Sequence, residues 1–63
     1  MKNYDAVYED EYGYQLSISF QARNDKYAIN KAIKLRKKND LEFVIRKENG
    51  KRKSIWNCHE YSI

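Results

Sequence analysis

The chain is 63 residues long and carries thirteen Lys and Arg against nine Asp and Glu, a net charge of +4; that length allows one domain, residues 1–63, with a core one layer pair thick. Aromatic residues make up 14%, enough large apolar groups to argue against intrinsic disorder. No apolar run approaches the ~20 residues that span a bilayer and no signal-peptide pattern opens the chain, so a cytoplasmic location is expected and a membrane is not an expected partner.

Tyr4, Ala6 and Tyr8 alternate with Asn3, Asp5, Val7 and Glu9, the period of a strand with one apolar face. The alternation is stronger from Tyr14 to Ala22, with Tyr14, Leu16, Ile18, Phe20 and Ala22 on one side and Gln15, Ser17, Ser19 and Gln21 on the other. Asp10-Glu11-Tyr12-Gly13 between them is polar and ends in a Gly able to take positive φ, so the two strands read as an antiparallel hairpin.

Asn24 and Asp25 supply capping side chains for a predicted helix over Lys26 to Lys38. At 100° per residue, Ala28, Ile29, Ala32, Ile33 and Leu35 share one side of it. Lys37 and Lys38 suit the negative end of the helix dipole, and Asn39-Asp40 mark the exit. Leu41, Phe43 and Ile45 then alternate with Glu42, Val44 and Arg46, and Asn49-Gly50 signals a type I′ hairpin turn. Registered on that turn, Glu48 faces Lys51, Arg46 faces Lys53, Val44 faces Ile55 and Phe43 faces Trp56. This register puts Leu41, Phe43, Ile45, Ser54, Trp56 and Cys58 beneath the helix. His59 to Ile63 extend the last strand, add a short fifth one or fray, alternatives that the residues leave open.

The expected fold is therefore α+β, in the order ββαββ. The helix joining the second and third strands is a crossover, right-handed by the general rule. Setting the third strand beside the first makes a four-stranded antiparallel sheet of order 2-1-3-4 with one helix on one face. The other placement leaves a parallel pair open to water, which is less usual.

Charge is unevenly spread. Residues 1–12 hold one Lys against four acids, net −3, and residues 13–63 hold twelve basic against five acidic groups, net +7. On the predicted helix Lys26, Lys31, Lys34, Lys37 and Lys38 surround Tyr27 and Asn30, with no Glu or Asp between Lys26 and Lys38. Like charges one turn apart cost a few tenths of a kcal/mol each, so such a face becomes favourable only when an anion approaches. Phosphates fit that role, since Lys groups that displace counterions from nucleic acid add salt-dependent affinity. Arg46, Lys51, Arg52 and Lys53 extend the basic surface along a strand edge. The expected function is a non-catalytic basic module that binds nucleic acid or a nucleic-acid-handling protein complex, positioning on phosphates rather than reading bases. A Lys-rich face that merely keeps the domain soluble is the plain alternative.

The sheet face away from the helix is expected to carry Gln15, Ser17, Ser19 and Gln21 near Val7, Glu42, Val44, Arg46, Lys53, Ile55 and Asn57. It lacks an aromatic pair, which argues against sequence-specific single-strand binding. Tyr4, Tyr8 and Tyr14 fall on the core pattern, while Tyr12, Tyr27 and Tyr61 are expected at the surface. Cys58 and His59, being adjacent, diverge on a strand and do not make a nucleophile–base pair; Cys58 reads as a structural thiol. A single Cys and a single His cannot fill a zinc site, Glu9, Asp10 and Glu11 read as a solvated loop rather than a cation site, and there is no Gly-rich phosphate loop. Neither a metal nor another cofactor is expected, and no small-molecule substrate.

The stretch Phe20-Gln21-Ala22-Arg23-Asn24-Asp25-Lys26-Tyr27-Ala28, then Ala32, then the Asn49-Gly50 hairpin ending in Trp56 and Cys58, resembles small phage and mobile-element proteins of the single-helix anti-CRISPR type. The resemblance covers residues 14–58 at the level of layout. It implies an inhibitor that docks by protein–protein contact on a host defence complex handling nucleic acid. The chain departs from the acidic DNA mimics among such inhibitors by being basic, which puts duplex mimicry in doubt. A third reading is a dimerising element in which Val44 and Ile55 pair across a seam.

Overall fold

A computed structural model describes residues 1–36 and 40–58 of the chain. Four strands and one helix follow in the order β1 (Lys2–Glu9), β2 (Gln15–Ala22), α1 (Asp25–Leu35), β3 (Leu41–Glu48) and β4 (Lys51–Asn57). The strands form one antiparallel sheet of order β2-β1-β3-β4 with α1 on one face, the α+β layout expected from the sequence. Lys37, Lys38, Asn39, His59 and Tyr61 lie outside the described residues.

Each turn has a local cause. Asp10 Oδ1 accepts from the backbone N–H groups of Tyr12 and Tyr14 at 2.9 and 2.8 Å, which folds the β1–β2 connection around one carboxylate. Gly13 takes φ +85° there. Asn49 and Gly50 both hold positive φ, 52° and 76°, as a type I′ turn requires. Asn24 caps α1 by accepting from Tyr27 N–H at 3.0 Å.

The core lies between α1 and the sheet. Tyr4, Leu41 and Val44 are the largest fully buried side chains, and Ala28 and Ala32 let the helix backbone approach them closely. Fully burying a side chain such as Leu41 or Val44 contributes roughly 1.5–3 kcal/mol. Phe20 stacks on Tyr4 with centroids 5.7 Å apart, and Trp56 closes the β4 side. Leu35, expected in the stripe, is 44% exposed at the end of the helix. Tyr14, expected in the core, is 68% exposed; it lies just before β2, the edge strand of the sheet, and outside the core cluster.

Two irregularities correct the expected register of β3. Val7 pairs with Phe43 and Tyr8 with Leu41, so Glu42 is an extra residue. Val44 pairs with Trp56 and Ile45 with Ser54, so Ile55 is extra on β4. An inserted residue reverses the facing of everything beyond it. Val44 and Arg46 therefore stand on the helix side with Ala6 and Tyr4, while Phe43, Ile45 and Ser54 stand on the opposite face with Val7 and Asp5. The expected pairs Val44–Ile55 and Phe43–Trp56 are not formed, whereas Arg46–Lys53 and Glu48–Lys51 are.

Candidate functional site

The fold sorts the charged groups into two populations. One is consumed internally. Asp5 is 4% exposed in the middle of β1, on the face away from the helix. Its Oδ1 accepts from Ser19 Oγ at 2.7 Å and meets Lys47 Nζ at 2.8 Å, and its Oδ2 lies 3.3 Å from Arg52 Nη1. Burial alone raises a carboxyl pKa, but the hydrogen bonds from Lys47 and Ser19 and the charges of Lys47 and Arg52 outweigh it, leaving Asp5 below its ordinary value. On the helix side Arg46 Nη1 binds Asp25 Oδ2 at 2.9 Å, and Tyr4 donates its hydroxyl hydrogen to Asp25 Oδ1 at 2.8 Å. Burial first and that hydrogen bond second push the Tyr4 phenol up to about 12. Glu48 lies 3.6 Å from Arg46 Nε. Asp25 and Glu48 thus offset the like charges of the Arg46–Lys53 pair. At the other end of the helix the Arg36 guanidinium sits 4.1 Å over the Tyr8 ring and 3.7 Å from Asp40.

The second population faces outward. Lys26 and Lys34 have no carboxylate partner among the described residues, nor do Lys51 and Lys53. Lys31 donates to the Gln21 carbonyl at 3.4 Å and lies 5.8 Å from the Phe20 ring centre, again without a carboxylate. Arg23 rests 5.4 Å over the ring of Tyr27, which is 54% exposed. A groove between the end of β2 and α1 is lined by Arg23, Tyr27, Asn30, Lys31 and Lys34. Lysines three residues apart beside a stacked Arg–Tyr pair can hold phosphate oxygens and a flat ring in the same place.

The expected binding residues therefore divide. Lys26, Tyr27, Lys31 and Lys34 share one exposed helix surface. Lys51 and Lys53 lie at a separate cleft beside the Asn49-Gly50 turn. Arg46 lines that cleft too but is held by two carboxylates, and Arg52 is turned to the opposite face by Asp5. Lys37 and Lys38 are outside the described residues. Arg23 is a groove residue the sequence did not single out; its position just before the N-cap of a Lys-rich helix was the available signal.

The expected far face also changes. Val44, Arg46 and Lys53 leave it, and Phe43, Ile45, Ser54 and Arg52 take their places. At the acidic tip Asp10 is occupied by its own turn, and among the described residues no three His, Cys, Asp or Glu side chains are grouped to hold a metal. Cys58 is half-buried against the core. Among the described residues no helix is long and apolar enough to cross a membrane. Comparison with protein families, with characterised proteins and with solved structures finds no match for this chain.

Proposed function

We propose that the chain is a non-catalytic binding module that takes a phosphate-bearing polyanion, nucleic acid or a nucleoprotein complex, along the outer face of α1. One observation carries this reading. The carboxylates Asp5, Asp25, Asp40 and Glu48 are drawn to Lys47, Arg52, Arg46 and Arg36, while Lys26, Lys31 and Lys34 receive none among the described residues. A lysine row left unneutralised when acids are available elsewhere favours an external counter-charge. Lys26, Lys31 and Lys34 contact phosphates, and the Arg23–Tyr27 stack offers a platform beside them. These contacts position the ligand without reading sequence.

The test is a titration of labelled duplex and single strands against the full chain at two salt concentrations. Three or more phosphate contacts predict affinity falling by roughly tenfold or more between ~50 and ~200 mM salt. The double variant Lys31→Glu, Lys34→Glu is expected to abolish measurable binding while leaving the circular dichroism unchanged. Absence of binding by either strand type at low salt overturns the proposal, as does a double variant that binds equally well. The second reading is an inhibitor of anti-CRISPR type docking on a protein. It is favoured by the carboxylates Glu9, Asp10 and Glu11, which line a cleft with Arg36 and Asp40. Such a contact predicts partner binding that survives the Lys31 and Lys34 changes.

A further inference from the structure

The two edges of the sheet are treated differently. β4 is defended as edge strands usually are, by Lys51, Arg52 and Lys53 and by the extra residue Ile55. β2 carries none of these protections within the strand, and Lys31, reaching from α1, covers the Gln21 carbonyl at one end of it. Its register with β1 runs unbroken from Lys2–Ala22 to Glu9–Gln15. Tyr14 to Ala22 contains no charge and no Gly or Pro, in a chain that is 35% charged. Among the described residues no strand pairs with its outer side.

The direction of its backbone groups can be read from three contacts. Asp10 N–H donates to the Tyr14 carbonyl at 2.9 Å, which makes positions 10 and 14 a hydrogen-bonded pair. Alternation along an antiparallel ladder then gives the same status to Tyr8–Leu16, Ala6–Ile18 and Tyr4–Phe20. The N–H and C=O groups of Gln15, Ser17, Ser19 and Gln21 are left pointing to the open edge. Consistently, Glu9 N–H turns away from β2 to the Asp40 carbonyl at 3.1 Å, and the Gln21 carbonyl reaches outward to Lys31 Nζ.

We propose that β2 pairs antiparallel with β2 of a second copy of this chain, joining two sheets into one of eight strands. The register that uses the whole strand sets Ile18 on the twofold axis. It places Ser17 opposite Ser19, Gln15 opposite Gln21 and Leu16 opposite Phe20 of the second copy. Every facing pair is neutral, so no like charges meet across the seam. Leu16, 44% exposed, and Tyr14, 68% exposed, gain apolar neighbours, with Tyr14 directed toward the groove beside Ala22 and Tyr27 of the other copy.

Charge beyond the strand ends favours this occupant over an arbitrary strand. Continuing the register sets Gly13 opposite Arg23, so the turn bearing Asp10 and Glu11 of one copy meets Arg23 and Lys26 of the other. The contact is made twice, because a twofold interface repeats each pair. Both helices then stand on the same face of the joined sheet.

Sedimentation equilibrium of the full chain is expected to show passage, as concentration rises, from 7.6 kDa to twice that mass. Ser17→Pro removes one outward N–H from each copy and is tolerated on an edge strand; it is expected to weaken dimerisation by roughly ten- to a hundredfold. Ser17→Lys, which places two ammonium groups beside the seam, supplies a second disruption should the Pro variant fold poorly. Arg23→Glu is expected to weaken the dimer, and adding Glu11→Lys to restore it. Ile18→Cys in a Cys58→Ala background is expected to oxidise to a covalent dimer, since Cα atoms of a wide antiparallel pair lie ~4.5 Å apart. A chain that stays monomeric to millimolar concentration overturns the proposal and leaves the β2 edge to a strand of another protein. A dimer that withstands both Ser17 changes, or that Ile18→Cys fails to lock, also overturns it.

Discussion

Replacing Asp5 with Asn keeps the shape of the side chain and removes its charge. Asp5 is 4% exposed and receives Ser19 Oγ at 2.7 Å, Lys47 Nζ at 2.8 Å and Arg52 Nη1 at 3.3 Å. A hydrogen bond to a charged group contributes roughly 1.5–3 kcal/mol when fully shielded. Lys47 and Arg52 are 34% and 57% exposed, so both recover hydration when the carboxylate is lost, which discounts their share. A net loss of roughly 2–3 kcal/mol is expected, out of a total of roughly 3–9 kcal/mol for a chain of this length. For a domain this small each kcal/mol shifts Tm by about 4–8 °C, so the midpoint should fall by more than about 8 °C.

The pH dependence tests the cause. The Asp5 pKa is lowered in the folded state, so its contribution is present above the ordinary carboxyl value and disappears as pH falls through the lowered one. Thermal denaturation of the parent and of Asp5→Asn should therefore differ most near about pH 7 and converge at the acidic limit. Equal midpoints at neutral pH would refute the argument. So would a gap that stays constant into strong acid, because the loss would then come from packing rather than from charge.

Tyr4→Phe removes the hydroxyl bonded to Asp25 but leaves the Asp25–Arg46 pair, so urea denaturation should show a loss of about 1 kcal/mol. Because the folded Tyr4 pKa is raised from 10.0 to about 12, its stabilisation is complete below pH 10 and is lost as pH climbs toward 12; ultraviolet titration of the parent should show a phenol ionising well above the ordinary value that Tyr4→Phe removes. Gly50→Ala should cost about 1 kcal/mol through backbone strain alone, since φ is +76° and an added Cβ meets no atom within 4 Å. A loss well above that would show that the turn holds more than its own conformation.

Where one apolar face alternates with one polar face, as from Leu16 to Ala22, strand and facing were legible in the chain. The same holds for α1, whose Asn24 cap and alanine stripe are local, and for Asn49-Gly50, whose turn type demands two positive φ values. β3 was harder because both parities are apolar: Leu41, Phe43 and Ile45 compete with Val44. The fold resolves the competition by extra residues at Glu42 and Ile55, which burial of Val44 and Trp56 requires and no local signal announces. The ion pairs were illegible for a related reason. Asp5 and Lys47, or Asp25 and Arg46, are distant in sequence and meet only once the register is set. The candidate site was therefore visible as a lysine row, but the reason to prefer it over Arg46 and Arg52 was not.

The sheet also orients the remaining charge. Lys2, Arg23, Lys26, Lys51 and Lys53 gather at one end of the strands, where α1 begins, and Glu9, Asp10 and Glu11 gather at the other. A strand of the length of β1 separates these ends by roughly 23 Å at 3.3 Å per residue. Screening acts over about 8 Å at physiological ionic strength, so within one molecule the acidic tip does little to neutralise the basic end. The positive end of the α1 dipole points the same way and adds to it. In the function proposed above the counter-charge is phosphate on the helix, and in the proposed dimer it is the acidic turn of a second copy brought against Arg23. The two proposals differ in reach: the first engages the outer face of α1 through Lys31 and Lys34, whereas the second engages the seam and the start of the helix, Arg23 and Lys26 among its groups. Among the described residues Asp5, Asp25, Asp40 and Glu48 are thus held by Lys47, Arg52, Arg46 and Arg36, while Lys26, Lys31 and Lys34 stand on the helix without a carboxylate, which is the imbalance the salt titration tests.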